Sequence, residues 1–308
     1  MIILHRHPRV NHKSRPRVDK SSVAAHTLRM ETGELRFRVA RAGLHFYEEP
    51  FISGKGGSGT VFFTGCDLRC MFCQNHEISR GGKGVNISGE ELLRLFAILE
   101  EKGAENINLV TPSPWIKQLI PVLERFKTTS ELPIVWNSSG YEDVELLREA
   151  EGLVDVWLPD FKYSDDSLAE KYSGVKGYSA RAFAAISEMR RQAPKDVFDK
   201  RDMMKKGVCV RHLVLPCGVD NAAGVMRAIA RIDKNMFVSV MAQYFPTPAV
   251  ANHPVLSRRI TREEYDAAVE AFFAAGLNNG LSQDPESATE DYVPDFDAEE
   301  VLRLLGRD

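Results

Sequence analysis

Gly65-Cys66-Asp67-Leu68-Arg69-Cys70-Met71-Phe72-Cys73-Gln74-Asn75 sets three cysteines within eight residues at the spacing C-x3-C-x2-C. Directly before it, Val61-Phe62-Phe63 is an apolar run that reads as a strand. A loop leaving a strand can fold three thiolates around one metal centre. Soft sulfur donors suit iron–sulfur or zinc far better than calcium or magnesium. A [4Fe-4S] cluster usually takes four cysteines, yet Cys209 and Cys217 lie far downstream. Two readings stay open: a cluster with one iron left for a small molecule, or a zinc site completed by a ligand such as His76. Zinc knuckles favour paired C-x2-C units, and this sequence has no second pair.

Outward from the loop, apolar strands alternate with helices. Strands are expected at residues 60–65, 106–110, 133–136, 154–158, 208–215 and 237–241. Helices are expected at 88–102, opened by the capping signature Ser88-Gly89-Glu90-Glu91, and at 112–126, 144–150, 178–192, 221–232 and 262–275. Six β-α units with near-continuous apolar strands predict a parallel sheet covered by helices. Right-handed crossovers curl such a sheet, and an open (β/α)6 partial barrel fits the count. Residues 1–55 read as an N-terminal extension, a basic arm plus a lead-in segment; residues 56–283 form the core, and 284–308 an acidic tail with one short helix.

The 308 residues suffice for one large core. The apolar fraction of 44% is ordinary for a globular protein, and the formal charge of −3 gives no sign of a nucleic-acid-binding chain. The first twenty residues are basic through Arg6, Arg9, Lys13, Arg15, Arg17 and Lys20, a run expected to be a solvated arm. No apolar run reaches the roughly 20 residues of a membrane span. Met1-Ile2-Ile3-Leu4 meets His5 and Arg6 at once, unlike a signal peptide. Five cysteines, an odd number with three clustered, favour a reducing compartment, so the cytoplasm is expected.

The text around the cysteines, GSGTxFFxGCxLRCxFCQNxEIS from Gly57 to Ser79, resembles the radical S-adenosylmethionine (radical SAM) superfamily. Within that superfamily it resembles one branch, the uncharacterised homologues of the pyruvate formate-lyase activating enzyme. The resemblance implies the partial (β/α)6 barrel of that superfamily. It also implies that Cys66, Cys70 and Cys73 bind three irons of a [4Fe-4S] cluster, while S-adenosylmethionine chelates the fourth. Reductive cleavage of that molecule would yield a 5′-deoxyadenosyl radical that abstracts hydrogen from a substrate. The substrate implied is a glycyl residue of a partner enzyme, with a small molecule or peptide as the alternative. An electron donor such as flavodoxin or ferredoxin is implied, and a non-catalytic zinc-stabilised binding protein is the rival from another class.

In parallel barrels functional groups cluster at the C-terminal ends of strands, and the resemblance assigns several there. Phe72 is expected against the adenine. Thr111, in Thr111-Pro112, stands where many relatives carry a glycine-glycine-glutamate motif. Asn137 ends the third strand. Asp160 and Lys162 end the fourth and point to one side by alternation. There Lys162 would face the methionyl carboxylate, a point-charge partner suited to it, and Asp160 would bind a monovalent cation. Arg211 and His212 are expected near the cofactor, a satisfied core histidine being the alternative for His212, with Gln243 at the methionyl or ribose groups or bonded to backbone. The family's similar lead-in would bring His45, Glu48 and Glu49 toward the active-site mouth, with core packing or surface placement as the alternatives. Cys209 reads as a packed core thiol, and Cys217, at a strand exit, leaves a redox role open.

Overall fold

The computed structural model describes residues 2–5, 35–80, 82–283 and 295–307. The basic run from Arg6 to Lys20 and residues 284–294 of the expected tail lie outside the described residues. The strands are β1 (Ile2–His5), β2 (Arg36–His45), β3 (Ser58–Phe63), β4 (Val85–Ser88), β5 (Ile107–Val110), β6 (Ile134–Ser138), β7 (Val156–Pro159), β8 (Val197–Phe198), β9 (Met204–Leu213), β10 (Phe237–Met241) and β11 (Asn279–Ser282). The helices are α1 (Pro50–Ser53), α2 (His76–Ser79), α3 (Gly89–Glu101), α4 (Ile116–Thr129), α5 (Val144–Glu149), α6 (Asp166–Ser173), α7 (Tyr178–Gln192), α8 (Val219–Ile232), α9 (Arg262–Ala274) and α10 (Ala298–Leu304).

Seven strands run parallel in the order β3-β5-β6-β7-β9-β10-β11, each one place further along the sheet. Antiparallel β2 and β4 extend one edge and antiparallel β1 the other. Among the described residues the sheet stays open, because β4 and β1 end the order without pairing. The expected capping box is present: Ser88 accepts from the Glu91 N–H and the Glu91 carboxylate accepts from the Ser88 N–H, opening α3.

β3, β5, β6 and β7 are buried along their whole length, as both faces of a parallel sheet must be. On the outer face Leu109, Trp136, Trp157 and Val210 pack beneath helix residues such as Leu119, Ile186 and Val225. On the inner face Val135, Val156, Leu158, Cys209 and Leu281 pack with Phe51 and Ile52 of α1. Alternation then puts Asn137, Asp160, Arg211 and Ser239 on that inner face too, two residues from Val135, Leu158, Cys209 and, across the ladder, beside Leu281.

The short helix α1 closes one end of this interior. The Phe51 ring meets Phe198 at 5.8 Å and Phe237 at 5.4 Å, and Asn106 Nδ2 donates to the Ile52 carbonyl at 2.7 Å. Asn106 and Phe237 stand where strands begin, so the plug lies opposite the cysteine loop.

The structure differs from the sequence reading at both flanks. Residues 36–45, read as part of the lead-in, are a ten-residue strand paired to β3 and β4. The pattern Arg36-Phe37-Arg38-Val39 alternates as a half-buried strand does, and the basic residues hid it. A seventh parallel strand, β11, follows the six expected; its Asn279-Gly280 looks like a turn. There glycine is needed, because a Cβ at Gly280 would lie 2.8 Å from the Phe272 ring. The first strand of the core begins at Ser58, earlier than expected, and α6 was not foreseen.

Candidate cofactor site

The cysteine loop starts where β3 stops. Gly65, at φ 98°, takes a left-handed turn open to glycine and donates its N–H to the Ile78 carbonyl at 3.0 Å. The loop then lies along the end of α6: Arg69 N–H donates to the Ser173 carbonyl and Met71 N–H to the Tyr172 carbonyl, each at 2.9 Å. Thr247 Oγ1 and Gln74 Nε2 tie it to the segment after β10, bonding the Met71 and Gln243 carbonyls at 3.4 and 2.9 Å.

All five cysteines are free. Cys70 is buried, and Cys66 and Cys73 are partly exposed. Ser173 Oγ donates to Cys70 Sγ at 2.9 Å, and Cys73 Sγ donates to Ser79 Oγ at 3.4 Å. Burial, together with the neighbouring Cys70 and Cys73, pushes the Cys66 thiol up to about 12. Burial likewise raises Cys70, against the pull of Lys162. The three thiols and the Lys162 ammonium therefore share one electrostatic neighbourhood. Thiols that ligate a metal must be deprotonated, and the positive charge of a metal centre would bring down the raised Cys66 and Cys70. Three soft donors on one loop fit an iron–sulfur cluster. Among the described residues no three His, Cys, Asp or Glu side chains converge on a single-ion site. His76 lies exposed in the first turn of α2.

Below the loop, the inner face carries a continuous polar chain. Lys162 Nζ contacts Asp160 Oδ2 at 2.5 Å, and Arg211 Nε donates to Asp160 Oδ1 at 3.0 Å. Arg211 Nη2 reaches Asn137 Oδ1 at 2.5 Å and Nη1 reaches Glu48 Oε2 at 3.2 Å. Asn137 Nδ2 and Asn108 Nδ2 both donate to Glu48 Oε1, at 3.1 and 3.2 Å. Burial pushes the Asp160 carboxyl up, but Lys162 and Arg211 outweigh it and hold it below the usual carboxylate range. Burial raises Glu48 despite Arg211, and raises Glu49 as well. Glu49 Oε2 and Ser239 Oγ lie near one another, both buried, without a hydrogen bond of normal geometry.

The backbone of Lys162 is fixed from both sides. Its N–H donates to the Tyr178 hydroxyl at 2.9 Å, which itself donates to the Ser139 carbonyl at 2.7 Å; its carbonyl accepts from Asn221 Nδ2 at 2.9 Å. Gly140 permits the β6 exit to approach β7 so closely, since a Cβ there would lie 2.0 Å from the Asp160 carbonyl oxygen.

The structure thus brings together Asn137, Asp160, Lys162 and Arg211 beneath the three cysteines. Phe72 is buried against Tyr244, ring to ring at 6.0 Å. Thr111 takes a left-handed φ of 57°, rare outside glycine, and its N–H donates to the Asn137 carbonyl at 2.9 Å. Gln243 meets the loop through its backbone carbonyl. His212 does not join the inner chain. As the neighbour of Arg211 on β9 it points to the helix-covered face, where Nδ1 bonds the Phe161 carbonyl at 2.8 Å and Nε2 is buried without a partner. Burial brings it down to about 4, so it is neutral. Glu48 and Glu49 take the core placement, entering the interior from the plugged end rather than lining the mouth. Cys209 is fully buried on the inner face; Cys217 is exposed, its thiol 3.4 Å from Arg258 Nη2. Sequence reasoning missed Asn108, Ser173, Tyr178 and Asn221, each an ordinary residue made important by a partner distant in sequence.

A cleft of about 450 Å³ opens beside the loop, lined by Asp67, Ser113, Lys117, Glu142 and Arg181. A larger one of about 620 Å³ lies on the outer surface between α7 and α8, away from the thiols.

Comparison with known proteins agrees with this geometry. Residues 60–206 match the family model of the radical SAM superfamily. The chain is 29% identical over 225 residues to an uncharacterized protein of Methanocaldococcus jannaschii, covering 69% of this chain and 61% of that one. It thus spans about three fifths of that relative's length. It is 26% identical over 192 residues to a pyruvate formate-lyase-activating enzyme of Clostridium pasteurianum, covering 60% of this chain and 73% of that one. Among solved structures, methylornithine synthase superposes with a TM-score of 0.50 at 14% identity, over 80% of each chain, a likeness of fold. Residues 60–206 thus carry a radical SAM domain, and members of that superfamily use a [4Fe-4S] cluster and S-adenosylmethionine. That match sets aside the zinc-stabilised binding protein.

Proposed function

We propose that Cys66, Cys70 and Cys73 hold the cluster and that Lys162 receives the methionyl carboxylate of S-adenosylmethionine. The observation that carries this reading is the convergence of Lys162 with the thiols: its charge draws down Cys70 and Cys66 from the end of β7. When bound, the cluster supplies the electron that cleaves S-adenosylmethionine and so provides the hydrogen-abstracting group. The chain's own residues do the rest. Lys162 neutralises and orients the carboxylate, Phe72 and Tyr244 form an apolar wall for the adenine, and α1 keeps solvent from entering through the far end. Asp160 keeps Lys162 charged in the interior, offsetting both the cost of burying it and the repulsion of Arg211.

The substrate we propose is a backbone glycine of a partner enzyme. Support comes from the similarity to the Clostridium enzyme and from the cleft at Asp67 and Glu142, which reaches the cysteine loop from outside. A flavodoxin- or ferredoxin-type donor supplies the electron, and five free thiols fit the cytoplasm. The test is to incubate the reduced holoenzyme with S-adenosylmethionine and a glycyl radical enzyme. A glycyl doublet in the electron paramagnetic resonance spectrum is expected. Nucleoside formation without that doublet, across the glycyl radical enzymes tried, would send the reading to a small molecule or peptide.

A further inference from the structure

We propose that Glu48 is a positioning residue for S-adenosylmethionine, acting from the plugged end of the barrel through Arg211 on the Asp160–Lys162 pair. The proposal rests on the reading of Lys162 as the carboxylate partner.

A lysine ammonium is a mobile point charge on a four-carbon stem, and its aim must come from what it touches. Lys162 touches Asp160 Oδ2, and the other oxygen of Asp160 is taken by Arg211 Nε. What turns Arg211 so that only Nε meets Asp160 is the far side of its fork. Nη1 meets Glu48 Oε2 and Nη2 meets Asn137 Oδ1. Glu48 in turn accepts from Asn108 and Asn137 through Oε1, so both its oxygens are committed. Its own backbone is fixed at the plug, where its N–H donates to Ser53 Oγ at 3.0 Å. The chain of contacts therefore runs from α1 to the ammonium without a gap.

Charge makes the arrangement consequential. Five acidic and basic side chains share this interior with the Cys209 thiol: Glu48, Glu49, Asp160, Lys162 and Arg211. Arg211 cannot lose its charge, and a buried guanidinium seeks carboxylate oxygens in pairs. With Glu48 present it shares itself between two carboxylates. Without Glu48, Asp160 is the carboxylate left within hydrogen-bonding distance, and Arg211 turns its fork onto both of that residue's oxygens. Lys162 then loses the contact that aims it. Glu49 feels the Arg211 charge but does not replace Glu48, because the hydrogen bonds of the guanidinium go to Asp160, Glu48 and Asn137.

The test uses the reconstituted holoenzyme and S-adenosylmethionine itself, with the dissociation constant measured by anaerobic equilibrium dialysis beside iron content and melting temperature. Glu48→Gln keeps an oxygen for the two asparagines and removes only the charge facing Arg211. It should weaken binding about tenfold, the scale at which outer contacts tune a site, with iron content unchanged. In a cycle with Lys162→Ala the double variant should bind no worse than Lys162→Ala alone, since coupled groups are not additive. Glu49→Gln, one residue away and equally buried, should bind as the wild type does. Unchanged affinity in Glu48→Gln, additive losses in the cycle, or an equal loss in Glu49→Gln would each overturn the proposal. The Lys162→Ala arm separates the two readings. If it alone leaves affinity unchanged, the carboxylate assignment fails and the proposal falls with it. If it weakens binding while Glu48→Gln does not, only the proposal fails.

Discussion

The two ends of the barrel are built by different means. At the mouth, one loop of eleven residues carries three thiols, held by backbone bonds to the end of α6. Beneath it, toward the plugged end, Glu48, Asn108, Asn137 and Arg211 come from four separate elements and meet through side chains alone. The mouth depends on spacing within a local segment. The plugged end depends on tertiary placement, with Glu48 and Arg211 163 residues apart. A local motif tolerates change elsewhere in the fold; a distributed network does not.

That contrast can be broken by substitution. The largest effect is expected at the mouth: Cys70→Ala should abolish iron incorporation and cofactor cleavage while the apoprotein stays folded, read by iron content and circular dichroism. At the plugged end, Phe51→Ala removes a buried ring packed on Phe198 and Phe237. It should cost about 3–5 kcal/mol in denaturant unfolding of the apoprotein. If the two ends are built as described, Cys70→Ala loses function with little stability and Phe51→Ala does the reverse.

Legibility followed the same division. The three clustered thiols at a strand exit, the parallel core strands and the shared side of Asp160 and Lys162 could all be read from spacing and alternation. Alternation also separates His212 from Arg211, since neighbours on a strand face opposite ways; grouping them by proximity in sequence was the error. The strand at residues 36–45 carried a period-two pattern under its arginines. Glu48 carried no comparable signal, because an acidic residue in a loop acquires meaning only from the guanidinium that the fold brings to it.

His212 supports a smaller, pH-dependent prediction for the outer face. Its folded value of about 4 lies below its ordinary 6.5, so the unfolded chain takes the proton first. Stability is full above about 6.5 and declines as pH falls toward 4, by roughly 1.4 kcal/mol per pH unit at most. His212→Asn, which keeps a donor for the Phe161 carbonyl, should flatten that decline in melting curves between pH 7 and 5. The smallest effect is expected at Cys217, exposed and outside both networks: Cys217→Ser should leave iron content and cleavage rate at wild-type values. A fall in either would give that thiol a redox role.

The most direct test of the central claim is anaerobic. The protein is reconstituted with iron and sulfide, reduced, mixed with S-adenosylmethionine, and assayed for 5′-deoxyadenosine beside Cys70→Ala and Lys162→Ala. The account predicts product from the wild type, none from Cys70→Ala, and from Lys162→Ala a rate that recovers only at higher S-adenosylmethionine. A wild-type protein that holds its cluster yet forms no 5′-deoxyadenosine, or a Lys162→Ala variant with unchanged concentration dependence, would contradict it.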